Sequence, residues 1–275
     1  MRISIDETSL SNGELYTILT NKDAKGRRGS LIAIIKGTDS ATVSAVLLTL
    51  DVKARMAVKE VTLDMSSSMS WIVTECFMNA RKVTDRFHVQ QLVSEAMQEV
   101  RVALRWKAIE AESAEIAAAR TNGTTHQPAL ATNGDSQKQL LARGRCLLYK
   151  PSSRWSDSQQ RRAKILFESF PTIEQAYDLS MLFRSCYEAT TREEGVKRLG
   201  TWYAAVERHR EDFPSFLIAK KSIQAHEGTI LNYFFDRATN AAAESFNAKV
   251  KGFRSLVRGV TDTKFFLYRL AMIYG

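Results

Sequence analysis

"RISIDETSL" occupies residues 2–10, and its reading decides what kind of sheet this chain builds. Ile3 and Ile5 alternate with Arg2 and Ser4, the period-two pattern of a strand with one buried face. The alternation carries Asp6 onto the other face, at the strand's exposed end, with Glu7 beside it and expected to point the opposite way. Asp often starts a turn by bonding its own backbone, which is the plain reading of Asp6. The rest of the chain decides whether Asp6 does more.

Outward from that strand, "ELYTILTN" (14–21) and "GSLIAIIKG" (29–37) are β-branched runs joined by "KDAKGRRG" (22–29), a basic hairpin loop. Three consecutive antiparallel strands are expected. "SATVSAVLLTL" (40–50) has helical spacing behind a serine cap at Ser40, and "VKEVTLDM" (58–65) is a fourth strand that again ends on a carboxylate, Asp64. "SSSMSWIVTECF" (66–77) reads as a helix opened by a serine-rich cap, and "ARKVTDRF" (80–87) as a short strand. A long helix follows from about 88 to 120. This order implies an α/β mixed sheet flanked by helices.

"TNGTTHQPALATNGDSQK" (121–138) is a loop rich in Thr, Asn and Gly, and from about 139 to 225 the pattern is almost wholly helical. Within that block a serine caps "SDSQQRRAKILFESF" (156–170), and Pro171 is expected to stop it. Phe167, Tyr177, Phe183, Trp202 and Tyr203 are expected in a core, as are Trp71 and Trp106 nearer the N-terminus. "TNAAAESFNAKVKGFRSLVRGV" (239–260) is a late helix with a basic stretch along it. The chain thus divides into 1–120, a loop and helical block at 121–225, and a C-terminal part at 226–275.

The 275 residues carry a net charge of +9, which biases the partner toward a polyanion. Three scattered cysteines and no CxxC pair argue against a disulfide framework or a structural zinc site. No signal segment opens the chain, and no run approaches the roughly 18 apolar residues of a membrane helix. A cytoplasmic location without a membrane partner is expected.

Three carboxylates stand out by position: Asp6 and Asp64 at strand ends, and Glu244 inside the late helix. Neighbouring strands could set the two aspartates side by side, and a helix docked on that edge could supply Glu244. Clustered carboxylates repel unless a cation sits among them, and oxygen-only ligands suit hard ions such as Mg²⁺ or Mn²⁺. Two such ions can assist phosphoryl transfer. Asn240, Asn247 and Lys251 share Glu244's helix face. Lys249, Arg254 and Arg258 extend the positive charge as phosphate contacts require. Asp85, in "DRFHV", either caps the following helix or supports the metal site from behind, and His88 reads as a structural histidine. Lys25, Arg27 and Arg28 either touch DNA or form a solvated hairpin tip.

Composition and spacing alone do not separate this from an unrelated α/β protein. The segments "IDETSLSNGELYTIL", "VTLDMSSSMSWIVTECFMNARKVTDRFHVQQLV", "CLLYKPSSRWSDSQQ", "FPTIEQAYDLSMLFRSCYE" and "NYFFDRATNAAAESFNAKVKGFRSLVRGVTD" resemble, in this order, the DDE transposases of the ISL-three insertion-sequence family. "DRFHV" and "TNAAAESFNAKVK" are the most specific of them. The resemblance implies an RNase H-like catalytic domain with a mostly helical insertion before the last acid. Asp6, Asp64 and Glu244 are then the DDE triad, which holds two Mg²⁺ or Mn²⁺ ions, and Asp85, Asn240 and Asn247 support it. Lys249, Lys251, Arg254, Arg258, Arg27 and Arg28 are the expected DNA contacts. The implied partners are double-stranded DNA at element ends and target, and a second copy of the chain in a homodimer or larger synaptic oligomer, in a prokaryotic cytoplasm at the nucleoid.

Full-length relatives carry an N-terminal zinc-ribbon and helix-turn-helix region ahead of the strand where this chain starts. The expectation is half of a split transposase served by a separately encoded DNA-recognition subunit, or else a fragment or remnant. Two rival functions stand beside strand transfer: a structure-specific nuclease on the same fold, and an inactive DNA-binding remnant.

Overall fold

The computed structural model describes residues 1–11, 14–237, 241–256 and 262–275, with the side chains of 10, 11, 241–244 and 256 outside the description. The chain forms two compact units, one of Met1–Val89 with His226–Gly275, the other of Gln90–Ala225.

The first unit is built on five strands: β1 (Arg2–Ser11), β2 (Glu14–Asn21), β3 (Leu31–Lys36), β4 (Glu60–Leu63) and β5 (Arg81–Thr84), in the spatial order β3-β2-β1-β4-β5. The first three form the expected antiparallel meander, while β1, β4 and β5 run parallel. β1 does not stop at Asp6. It stays paired with β2 as far as Ser11, whereas its parallel pairing with β4 ends at Ser4 and Thr62. Asp6 therefore lies inside a strand but just past the end of the parallel ladder.

Alternation along these strands feeds two cores. Ile3, Ile5, Leu19, Val61 and Leu63 pack with helices α1 (Ser40–Leu47) and α3 (Ser67–Cys76) on one face of the sheet. The short α2 (Val52–Met56), which the sequence pattern does not announce, lies between α1 and β4 along the chain. Tyr16, Ile18 and Leu31 form the second core with Phe246 and Val250 of α12 (Ala241–Leu256) and Phe266 and Leu270 of α13 (Thr263–Tyr274). Short helices α10 (Glu227–Leu231) and α11 (Tyr233–Asp236) precede α12 in the same unit. A mixed sheet with helices on both faces is the α/β architecture of an RNase H-like fold.

Capping follows the sequence closely. Ser66 caps α3 by accepting from Met69 N. At α1 the cap is Asp39 rather than Ser40, its Oδ2 accepting from Thr42 N at 2.9 Å, because a carboxylate caps as well as a hydroxyl and adds charge at a helix N-terminus.

α4 (Arg86–Thr121) begins in the first unit and continues into the second. The second unit adds α5 (Gln137–Arg143), α6 (Asp157–Ser169), α7 (Pro171–Cys186), α8 (Arg192–Arg208) and α9 (Pro214–Ala225). Ser156 caps α6 with Gln159 completing a capping box. α6 ends at Ser169, and Pro171 opens α7 at its first turn, where its missing N–H costs nothing. Trp202 is fully buried, its ring 4.9 Å from that of Phe183 and its Nε1 donating to Leu179 O at 3.0 Å. Trp155, Phe167 and Tyr177 form a second aromatic cluster. Trp71 and Trp106 depart from expectation: they are 65% and 59% exposed. On α3 the buried face is Met69, Ile72, Val73 and Cys76, and Trp71 falls outside that stripe.

Cys76 and Cys186 are buried and Cys146 exposed, all as free thiols. Burial pushes the Cys186 thiol up to about 12, which keeps it protonated and inert. Among the described residues, no helix is long and apolar enough to cross a membrane.

Candidate active site

The parallel register assembles a row of acids. Ser4 pairs with Thr62 and Leu63 with Thr84. Asp6 and Asp64 each follow a member of the first pair by two residues, and Asp85 directly follows Thr84, its N–H continuing the ladder to Leu63 O at 2.8 Å. Three aspartates thus stand at one level on three neighbouring strands, on the sheet face opposite Ile3, Ile5, Val61 and Leu63.

Each carboxylate is held. Asp6 Oδ1 accepts from Glu7 N at 2.8 Å, and its Oδ2 accepts from Asn247 Nδ2 at 2.6 Å. Asp64 Oδ1 accepts from Ser66 N at 2.8 Å, which shapes the turn from β4 into α3. Asp85 Oδ1 accepts from Phe87 N at 3.2 Å, so the residue caps α4 as expected. Asp85 is nonetheless almost wholly buried, and its Oδ2 has no partner among the described residues.

Burial raises the Asp6 carboxyl above its ordinary range, opposed by the Glu7 N–H and by His88, and the charges of Asp64 and Asp85 raise it further. Glu7 is also raised, first by partial burial and then by Asp64 and Asp6. Asp85 is raised by burial, against the Phe87 N–H, His88, Arg86 and Lys22. These groups feel one another, and the local charge favours a cation.

Asn247 joins the last helix to this row. It is buried on α12, three residues after Glu244, and its Oδ1 is a second buried atom without a partner among the described residues. The backbone of Glu244 lies in α12, one turn from the residue bonded to Asp6, while its side chain lies outside the description. Asn240 and Arg258 also fall outside the described residues. Among those described, no group of three or more His, Cys, Asp or Glu side chains is placed to hold a metal ion.

The basic residues divide in two. Lys249 Nζ donates to Gly26 O at 3.1 Å, joining α12 to the 22–29 loop on which Lys25, Arg27 and Arg28 are exposed. Gly26 has φ +74°, a left-handed conformation that favours glycine at this point of the loop. Lys251 is exposed on α12. Arg254 is half-buried with its guanidinium 5.2 Å from the Phe266 ring centroid.

Lys22 is the residue that sequence reasoning passed over. Its Nζ donates to Glu60 Oε1 at 3.1 Å and Thr62 Oγ1 at 2.6 Å, on the same sheet face as the aspartates. The signal was present in the alternation of Glu60, Thr62 and Asp64 along one strand, which writes a polar face onto a buried sheet.

A family model described as Transposase, for the DDE transposases of the ISL-three kind, matches residues 3–270. Two curated relatives, each named "Transposase for insertion sequence element IS1557", come from Mycobacterium tuberculosis strains CDC 1551 / Oshkosh and ATCC 25618 / H37Rv. Both are 25% identical over 267 residues, covering 92% of this chain and 57% of theirs. The chain therefore spans little more than half the length of those relatives.

Proposed function

Since the chain belongs to the ISL-three family of DDE transposases, we propose that it is the catalytic part of an insertion-sequence transposase whose triad is Asp6, Asp64 and Glu244. The observation that carries the reading is the shared level of Asp6 and Asp64 on adjacent strands, with the helix of Glu244 tied to Asp6 through Asn247. In this reading residues 1–120 and 226–275 form the catalytic domain and 121–225 the loop and helical insertion before the glutamate.

The residues suit hard divalent cations: the donors are all carboxylate oxygens, and their mutual repulsion and burial leave Asp6 short of positive charge. Two Mg²⁺ or Mn²⁺ ions held by Asp6, Asp64 and Glu244 would neutralise charge on the attacking and leaving oxygens of an in-line displacement. Asn247 fixes one oxygen of Asp6 and leaves the carboxylate little freedom to turn. Asp85 supports the row from behind as a buried cap, with Asn240 assigned a supporting role on the α12 side. Lys249, Lys251, Arg254 and Arg258, with Arg27 and Arg28 of the hairpin loop, contact the phosphates of double-stranded DNA. The reaction is hydrolysis of a phosphodiester at the element end, then attack of the freed 3′-hydroxyl on a target phosphodiester. Element ends are brought together by a homodimer or larger assembly in a prokaryotic cytoplasm, and a separately encoded subunit reads their sequence.

Asp64→Asn tests the site. It keeps the fold and abolishes both strand cleavage and strand joining on duplexes carrying the element ends, with Mg²⁺ or Mn²⁺. Ordinary Mn²⁺-dependent activity in that variant refutes the assignment. Joining assayed with pre-cleaved 3′-hydroxyl ends separates a transposase from a nuclease that only cuts.

A further inference from the structure

The second unit carries a concentration of positive charge that none of the assigned DNA contacts uses. Residues 143–164 hold seven Lys and Arg against one acid, Asp157, a net six positive charges where the whole chain has +9. The segment runs from the end of α5, through two short turns of 3₁₀ helix, into α6. We infer that this segment is a second duplex-DNA surface, which grips phosphates along the backbone without reading bases.

Three observations carry the inference. First, the charge is uncompensated: among the described residues, the side chains of Arg145, Lys150, Arg154 and Arg161 are exposed and make no ion pair or hydrogen bond. Arg143 is engaged on the buried Asp135 carboxylate, and Arg162 lies 3.8 Å from the same group. Lys164 reaches Glu168 at 3.9 Å on an exposed face, a weak pairing.

Second, the surface is preformed. Trp155 Nε1 donates to Leu147 O and Tyr177 OH donates to Lys150 O, each at 2.9 Å, while Leu147 and Leu148 are buried beneath. The Trp155, Phe167 and Tyr177 rings clamp the segment onto α6 and α7. Cations on a fixed backbone bind phosphates with less ordering cost than cations on a free loop.

Third, the composition fits nucleic acid better than protein. A protein interface has an apolar or aromatic centre inside a polar rim. Here the leucines turn inward, and Ser152, Ser153 and Gln160, all exposed, lie between the cations as further phosphate donors. A non-specific backbone grip serves target capture, where sequence is not read.

The inference rests on the transposase reading, so its test must fail separately from it. The triple variant K150Q/R154Q/R161Q in the full chain is compared with K249Q/K251Q and wild type for binding to a duplex of arbitrary sequence, across a salt series. Wild type binds with log K falling linearly in log salt. The triple variant is expected to lose at least about tenfold in affinity at 0.1 M salt and to flatten the slope by roughly 2 to 3, near 0.9 per phosphate contact. Its melting temperature stays that of wild type, since none of the three side chains packs in a core. Unchanged slope and affinity in the triple variant, with loss in K249Q/K251Q, overturns the second surface and leaves the transposase reading standing. No duplex binding by wild type at any salt sinks both. Retained duplex binding with loss only of binding to an acidic polypeptide, poly-glutamate, assigns the surface to protein and overturns the inference.

Discussion

The two units differ in what their most buried surfaces carry. In the second, the largest buried side chains are aromatic, with Phe183, Trp202, Phe213 and Phe216 all inside. In the first, a buried sheet face carries Ser4, Thr20, Glu60, Thr62 and Asp85. Polar groups taken from water lower stability unless bonded, so a sheet that buries this many beside an acid row is shaped by something other than folding. Much of that face is satisfied internally: Ser4 and Thr20 hydroxyls lie 2.6 Å apart, and Lys22 bridges Glu60 and Thr62. Among the described residues, Asp85 Oδ2 and Asn247 Oδ1 stay unmatched beside the acids, as does Glu60 Oε2 on the same sheet face.

The largest effect that tests this contrast belongs to the scaffold. Trp202→Ala removes a fully buried indole and its bond to Leu179 O, and is expected to cost about 3–5 kcal/mol in denaturant unfolding. A loss under 1 kcal/mol would show that the second unit does not depend on that ring. Next is the buried ion pair of the first unit. Lys22→Met leaves Glu60 buried without its cation and should cost about 3 kcal/mol, whereas Lys22→Met with Glu60→Leu should recover most of it. Failure of the double variant to recover would mean that Lys22 acts on something besides Glu60.

Cation binding sharpens the contrast from the other side. Mg²⁺ at a hundredfold its dissociation constant is expected to stabilise the wild type by about 2.7 kcal/mol, and Asp64→Asn should remove that gain. Equal stabilisation of both proteins would move the ion elsewhere. A smaller effect appears in chelator as pH changes. Asp6 and Asp85 have folded-state carboxyls raised above the unfolded values, mainly by burial, so the folded protein holds their protons more tightly. Their contribution is present in full below the ordinary carboxylate range and is lost as pH rises through the raised values. The melting temperature should therefore fall over that interval, and Asp6→Asn should flatten the fall. The smallest expected change is in Trp71→Ala, within about 0.5 kcal/mol of wild type because the indole is 65% exposed. A large loss there would reveal a packing partner.

What was legible in the sequence was whatever short-range periodicity and caps encode. "ELYTILTN" is β2 residue for residue, and serines 66 and 156 cap the helices expected of them. Pro171 opens α7 where the pattern predicts a stop, because the same residue that ends one helix can begin another, and only the position relative to the next apolar stripe distinguishes the two. α2 has five residues, less than two turns, too few to generate a periodic signal. For the tryptophans, position on the helix and not residue type decides burial: Trp202 lies on the apolar stripe of α8 and Trp71 lies off that of α3. At the site, the sequence pattern places Asp6 and Asp64 at strand ends: Asp64 directly follows β4, whereas Asp6 lies within β1, past the end of its pairing with β4. The alignment of Asp85 with them was not legible, because it depends on the pairing of β4 with β5, a long-range fact that no local pattern carries.

The acid row also sets a rule of parity for how this chain can drift. Loops such as 122–129 can gain or shed residues with little consequence, since closure entropy changes slowly with length. A single residue slipped into Glu60–Leu63 would instead swing Asp64 into the aliphatic side of the sheet and bring a leucine out in its place. Descendants of this protein can be expected to vary freely between strands, and within β4 and β5 to tolerate substitution far more readily than a change of length by one.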